Sequence, residues 1–201
     1  MLVSGASGIV GYGVLRSLRR SGLELFLVGT SIFDDSVAPA FCDVFEQAPQ
    51  TNDEGYMEWL LAMIRRHRID LLVPGIEIDM YEWAEHVDDI LTTGATPLLN
   101  TNGLLDLCKD KWLFYLQLQK GGLRCAIESS LEQDFEVLVA RFGLPFLLKP
   151  RRGFASKGIV RVTELEDYCE HVHNVGHSLM AQPIVGNDDE EFTTSAFCDG
   201  A

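Results

Sequence analysis

Positive charge is scarce in this sequence. Sixteen lysines and arginines stand against 30 aspartates and glutamates, leaving a formal net charge of −14 over 201 residues. Such a field repels a phosphate backbone, so general nucleic-acid binding is excluded as a function class. Long apolar runs are also missing. None reaches the roughly 18 residues a membrane span needs, and the start Met1-Leu2-Val3-Ser4-Gly5 has no basic and apolar regions of a signal peptide. No membrane partner is expected, and a cytoplasmic location is. The five cysteines (Cys42, Cys108, Cys125, Cys169, Cys198) are odd in number and irregularly spaced, and no C-x-x-C pair occurs. Reduced, mostly buried thiols are therefore expected. With 47% hydrophobic and 23% charged residues, the chain has the make-up of a protein that buries a real core in one or two domains.

The apolar segments that are present alternate in type. Leu2-Val3-Ser4 reads as a buried strand, and Gly5-Ala6-Ser7-Gly8-Ile9-Val10-Gly11 turns it into a helix that runs to about Ser21. A strand over 25–29, a helix over 55–67, a strand over 70–74, a helix over 80–91 and a short strand over 96–99 follow. Strands alternating with helices predict a parallel sheet with right-handed crossovers, an α/β Rossmann-like domain over 1–100. Because the chain begins four residues before its first glycine, part of the opening strand is expected to be missing. A helix from 104 to the Gly121-Gly122 break makes 101–121 a linker helix. Beyond it come a helix over 132–142, strands over 146–149 and 159–162, a helix from Glu164, and strands over 179–184 and 191–197. Helix and antiparallel hairpin elements predict a small α+β lobe over 122–201, truncated at its C-terminus.

Two glycine loops imply rival chemistries. Gly5-x-x-Gly8-x-x-Gly11 lies between strand and helix, where backbone N–H groups can receive a pyrophosphate. Asp34 or Asp35 would then hold a ribose hydroxyl, as in an NAD(P)-dependent oxidoreductase or epimerase. The same glycines also serve a tight turn and close helix packing alone, and no Tyr-x-x-x-Lys pair supplies the acid-base couple of short-chain enzymes. The second loop, Lys149-Pro150-Arg151-Arg152-Gly153-Phe154-Ala155-Ser156-Lys157-Gly158, joins two apolar strands. Between Val137 and Thr163 there is no Asp or Glu, a local reversal of the chain's charge. Gly153, Ser156 and Gly158 are small enough for backbone N–H groups to approach a triphosphate, and Lys149 and Lys157 bring cations to it. The Gly-Lys-Ser/Thr ending of a P-loop is absent.

The order of these features resembles the ATP-grasp superfamily, in particular proteins like the carbamoyl-phosphate synthase large subunit and related carboxylate-amine ligases. Cys108-Lys109-Asp110-Lys111-Trp112 looks like the family's linker-helix motif. Phe142-Gly143-Leu144-Pro145-Phe146-Leu147-Leu148-Lys149-Pro150 looks like the strand carrying its first ATP lysine. The loop from Arg151 to Gly158 is similar to its phosphate-covering loop, and Ala181-Gln182-Pro183-Ile184-Val185-Gly186, followed by Glu191-Phe192, to its adenine and ribose segment. The resemblance implies that Lys111 and Lys149 contact ATP phosphates while Gly153, Ser156, Lys157 and Gly158 close over them. It further implies that Gln182 and Ile184 offer backbone groups to adenine, and Glu191 accepts from ribose hydroxyls.

Such a ligase uses ATP and magnesium to activate a small-molecule acid as an acyl phosphate, which an amine or similar nucleophile displaces. The family's magnesium ligands are expected beyond residue 201, so the chain alone is expected to bind ATP without turning over. The sequence departs from the family at Ala181, where a glutamate or glutamine is frequent, at Cys125-Ala126, which replaces Val-Pro, and in a lengthened turn over 187–190. Gly8 and Glu77, with Asp79, sit where open α/β sheets bind ligands and are candidate substrate contacts. His171-x-His173-x-x-x-His177 is a weak metal-binding pattern whose common face is broken at Gly176. A noncatalytic nucleotide-binding module is the third reading, and a homodimer is a possible assembly.

Overall fold

A computed structural model of the chain describes residues 1–123, 126–153, 156–187 and 189. The chain divides into two compact units, Met1–Asn102 and Gly103–Ala201. The predicted strand over 191–197 lies outside the described residues, as does Glu191.

In the first unit five short strands, β1 (Leu2–Val3), β2 (Val28–Ser31), β3 (Val44–Gln47), β4 (Leu71–Val73) and β5 (Thr96–Pro97), form a wholly parallel sheet of order β3-β2-β1-β4-β5. This is the parallel sheet the alternating pattern predicts. Adjacent residues of β1 point to opposite faces and both are fully buried, so each face needs its own cover. Leu2 joins Val28 and Leu72 under α2 (Tyr56–His67), α3 (Glu77–Glu85) and α4 (Val87–Thr92) through Leu60, Ile64, Trp83 and Ile90. Val3 and Leu27 pack with Leu15 of α1 (Ile9–Arg20) on the other face.

Three local details depart from the pattern reading. Strand β3 has a weak hydrophobic signature, Val-Phe-Glu-Gln, because it is an edge strand with no fully buried residue. Strand β2 starts at Val28, where the Met1 carbonyl accepts its N–H, because Leu27 instead exchanges hydrogen bonds with Asp43. The helix predicted over 80–91 starts earlier and breaks at His86.

The sheet reverses its winding between β1 and β4, and there the backbones approach closely. Gly5 has φ +56°, and a Cβ on Gly75 would fall 2.1 Å from the Ser4 carbonyl oxygen. One on Gly11 would fall 2.5 Å from the Gly5 oxygen. The glycines at 5 and 11 are thus explained by chain packing alone. Gly75→Ala is expected to destabilise the unit by about 3 kcal/mol, the upper end for forced overpacking. A urea midpoint equal to that of the parent chain would contradict this.

The second unit begins with α5 (Asn102–Lys109) and α6 (Lys111–Lys120). A single helix is predicted here, but Asp110 interrupts it: its carboxylate accepts from the N–H groups of Trp112 and Leu113 and starts a new helix. After α7 (Phe135–Phe142) come β6 (Phe146–Pro150), β7 (Val160–Val162), α8 (Leu165–Cys169) and β8 (Leu179–Pro183), the strands forming an antiparallel sheet of order β7-β6-β8. Phe146, Leu148, Val162 and Ala181 face a core completed by Leu138 and Tyr168. Register pairs Leu147 with Gln182 and Lys149 with Met180, so these four side chains share the opposite face. Contrary to the expectation of mostly buried thiols, Cys108 and Cys169 are exposed and Cys42 is half-buried, because Cys108 and Cys169 sit on solvent-facing positions of α5 and α8. No helix among the described residues is long and apolar enough to cross a membrane.

Candidate functional site

The non-core face of the β6-β8 ladder and the start of α6 converge on two lysines. Lys149 is half-buried near the end of β6, and Lys111 is the first residue of α6. The Lys111 Nζ donates to the Gly153 carbonyl at 2.7 Å, and its backbone N–H donates to the Arg151 carbonyl at 2.8 Å. Burial, then the neighbouring Lys111 ammonium, holds the Lys149 pKa below the ordinary lysine value. Among the described residues no carboxylate forms an ion pair with either lysine, although the chain carries a large excess of acid. Two adjacent ammonium groups without a counter-charge favour an anion between them.

One residue holds this arrangement. The Asp110 side chain is 4% exposed and accepts from Arg151 in a two-pronged ion pair, Nε to Oδ1 at 3.1 Å and Nη2 to Oδ2 at 2.7 Å. It also caps α6, so a single carboxylate joins the helix bearing Lys111 to the strand bearing Lys149. Burial works to raise its pKa, but the Arg151 hydrogen bond and the two capping N–H groups outweigh that and hold it below the usual carboxylate range. The sequence reading singled out the lysine of this motif and missed the aspartate. An Asp directly before a helical run is itself an N-cap signal.

The lysines form the common wall of two cavities. One, of about 190 Å³, is lined by Lys111, Lys149, Pro150, Gly153, Ser156, Lys157 and Ile159. Gly153 has φ +124°, and Ser156 has φ +55°, a left-handed conformation uncommon outside glycine. The other, of about 260 Å³, is walled by Phe114, Tyr115, Leu118, Ala126, Ile127, Met180 and Gln182. Phe114, Tyr115 and Leu118 follow Lys111 at helical spacings of three, four and seven, a face the sequence reading passed over. Together the cavities make a trough that is cationic and glycine-bearing at one end, apolar and aromatic at the other.

Of the residues expected at the site, Lys111, Lys149, Gly153, Ser156, Lys157 and Gln182 therefore meet. The Gln182 amide is held by the Ser129 hydroxyl at 2.8 Å. Ile184 follows β8 and lines neither cavity, and Gly158 faces a different cavity, beyond Pro150.

The first unit has a smaller cavity, about 140 Å³, at the carboxyl ends of its strands. Gly5, Gly8 and Asp79 line it. Glu77 is exposed in the first turn of α3 and does not. Asp79 is 4% exposed and accepts from the Thr51 hydroxyl, and the Trp83 indole donates to the Tyr56 hydroxyl at 2.9 Å. Burial, then the Asp79 charge, pushes the Tyr56 phenol well above its ordinary value. This volume falls short of the 300 Å³ or more of an ordinary cofactor pocket. Asp34 and Asp35 are exposed and line no part of it.

No family model matches the sequence, and no curated protein does. Solved structures do match the fold. N5-carboxyaminoimidazole synthetase from Staphylococcus aureus, complexed with ADP, aligns with a TM-score of 0.65 at 19% identity over 92% of this chain and 47% of its own. Carboxyaminoimidazole ribonucleotide synthase from Aspergillus clavatus, complexed with ATP, gives 0.63 at 16% over 92% and 47%. The biotin carboxylase domain of Hydrogenobacter thermophilus 2-oxoglutarate carboxylase, complexed with MgADP and bicarbonate, gives 0.63 at 18% over 92% and 44%. The chain thus spans just under half the length of the structures it matches. A parallel five-stranded sheet followed by a small antiparallel one is thus the fold this chain shares with these synthetase and biotin carboxylase structures.

Proposed function

We propose that this chain grips ATP for a ligase that activates a carboxylate or carbonate-like acid as an acyl phosphate for attack by an amine or similar nucleophile. The observation that carries the reading is the shared lysine wall: Lys111 and Lys149 divide a cationic cavity under Gly153 and Ser156 from an apolar one under Phe114 and Tyr115. A nucleoside triphosphate has the same division, a polyanion joined to a flat, weakly polar base. In this reading both ammonium groups neutralise phosphate charge, and Lys111 exchanges the Gly153 carbonyl for a phosphate oxygen. The half-desolvated Lys149 presents a cation weakly screened by water. Bound ATP supplies the phosphoryl group that makes the acid reactive. The fold family also implies magnesium. Among the described residues no group of three His, Cys, Asp or Glu side chains could hold a metal ion.

Calorimetric titration separates this from the nicotinamide reading. ATP is expected to bind and NADH is not. Tyr115→Ala is expected to weaken ATP by about 1–3 kcal/mol, the worth of one base stacked on an aromatic ring, and to leave inorganic tripolyphosphate binding unchanged. NADH binding without ATP binding would overturn the assignment. Equal losses for ATP and tripolyphosphate would remove the base from the apolar cavity.

A further inference from the structure

A further cavity lies outside the proposed nucleotide grip. It encloses about 770 Å³ in the second unit. Pro150, Val160 and Leu179 form its floor, and register places all three on the core side of the β7-β6-β8 sheet, away from Lys149, Met180 and Gln182. Apart from Pro150 at the strand end, which lines both, the sheet separates it from the lysine trough. Its volume lies within the range of small-molecule sites.

Its charge is reversed relative to the molecule. One carboxylate lines it, Asp110, and that group is turned inward, engaged by the two capping N–H groups and by Arg151. The rim carries Arg152, His171 and His177. Arg152 is 75% exposed and its Nε lies 3.7 Å from the Asp110 carboxylate, a longer approach than the 2.7 Å of Arg151. Asp167, whose field reaches His171, does not line the cavity, and its carboxylate accepts from Thr163 and from the Glu164 N–H. The histidine pattern that looks like a metal motif in sequence instead brings His171 and His177 to the same cavity as Arg152, without His173.

We propose that this cavity is a second ligand site, built for a small organic anion whose phosphate or carboxylate meets Arg152, His171 and His177 and whose apolar body lies on Pro150, Val160 and Leu179. A guanidinium and imidazole N–H groups give charge-assisted hydrogen bonds to an oxyanion. The apolar floor favours a substituted anion over a bare one.

The test uses the full chain carrying Lys111→Ala and Lys149→Ala, which removes both ammonium groups of the nucleotide trough. Proton NMR signals of the histidine rings are followed while phenyl phosphate, benzoate, inorganic phosphate or phenol is added. Phenyl phosphate or benzoate is expected to shift the His171 and His177 signals saturably and to leave His173 unmoved, and whichever binds tighter identifies the head group. Phenyl phosphate is expected to bind roughly tenfold tighter than inorganic phosphate, in line with burial of its ring. Arg152→Ala, at a position exposed enough to leave folding intact, is expected to weaken binding at least about tenfold, the effect of one charged hydrogen bond. The proposal is overturned if neither anion shifts the two rings, if Arg152→Ala has no effect, or if phenol binds as tightly. The same titrations on the parent chain guard against loss of structure in the lysine variant. None of these outcomes bears on ATP binding, which the calorimetry tests separately.

Discussion

Lys149→Met is expected to weaken ATP binding by about 1.5–3 kcal/mol, roughly 10- to 150-fold, and at the same time to raise the melting temperature at pH 7. The first effect follows from removing the cation at the junction of the two cavities, where Coulomb interaction with a triphosphate is least screened. The second follows from the direction of its pKa. Burial and the Lys111 ammonium lower the folded-state value, so the folded chain disfavours the charged form that prevails at pH 7. Stability contributed by this group is therefore least at neutral pH, rising as pH climbs through the folded pKa toward the unfolded value near about 10.4. The variant, with no charge there, should lose that alkaline rise, and its stability advantage should shrink above about pH 10. Methionine keeps most of the apolar stem, so packing changes little. Unchanged ATP affinity in this variant would sink the nucleotide reading, and a lowered melting temperature would mean that the ammonium has a partner among the protein's own groups.

The largest effect on folding is expected at Asp110. Asp110→Ala removes the cap of α6 and leaves the Arg151 guanidinium, whose side chain is 22% exposed, without its counter-ion, for a loss of about 3–5 kcal/mol in urea denaturation. Asp110→Asn retains a good capping group and should lose less. The two variants thus divide the helix cap from the ion pair. Acid titration gives an independent check. The folded-state pKa of Asp110 is depressed, so its contribution is present above the unfolded carboxylate value of about 3.9 and is lost as pH falls through the lower folded value. The acid limb of the stability curve should flatten in Asp110→Asn. An equally steep acid limb would show that the pair carries no net free energy. Because the Arg151 carbonyl accepts the Lys111 N–H, loss of the pair should also loosen the lysine trough.

The fold expectations drawn from the sequence held where an element depends on its near neighbours in the chain and stopped where it depends on the other side of a strand. Buried strands and amphipathic helices announce themselves by period, so the parallel sheet and the antiparallel ladder were both legible. The basic loop was legible because an acid-free stretch stands out in an acidic chain. Strand β3 was not, because an edge strand carries little apolar signal. Asp110 was hidden because its partner Arg151 lies 41 residues away and pairs only after β6 and α6 meet. Gly158 was grouped with Gly153 by proximity in sequence, yet they line different cavities. Met180, which the sequence did not single out, reaches the lysines only through the β6-β8 register, which no local pattern specifies.

That register has an evolutionary consequence. The residues of β6 alternate between surfaces: Phe146 and Leu148 fill the core, Leu147 and Lys149 lie on the opposite face where Lys149 lines the trough, and Pro150 ends the strand on the side of the larger cavity. Point substitutions alter one of these surfaces at a time. Gain or loss of a single codon within the strand would invert all of them together, carrying the ammonium into the hydrocarbon interior and a leucine into the phosphate trough.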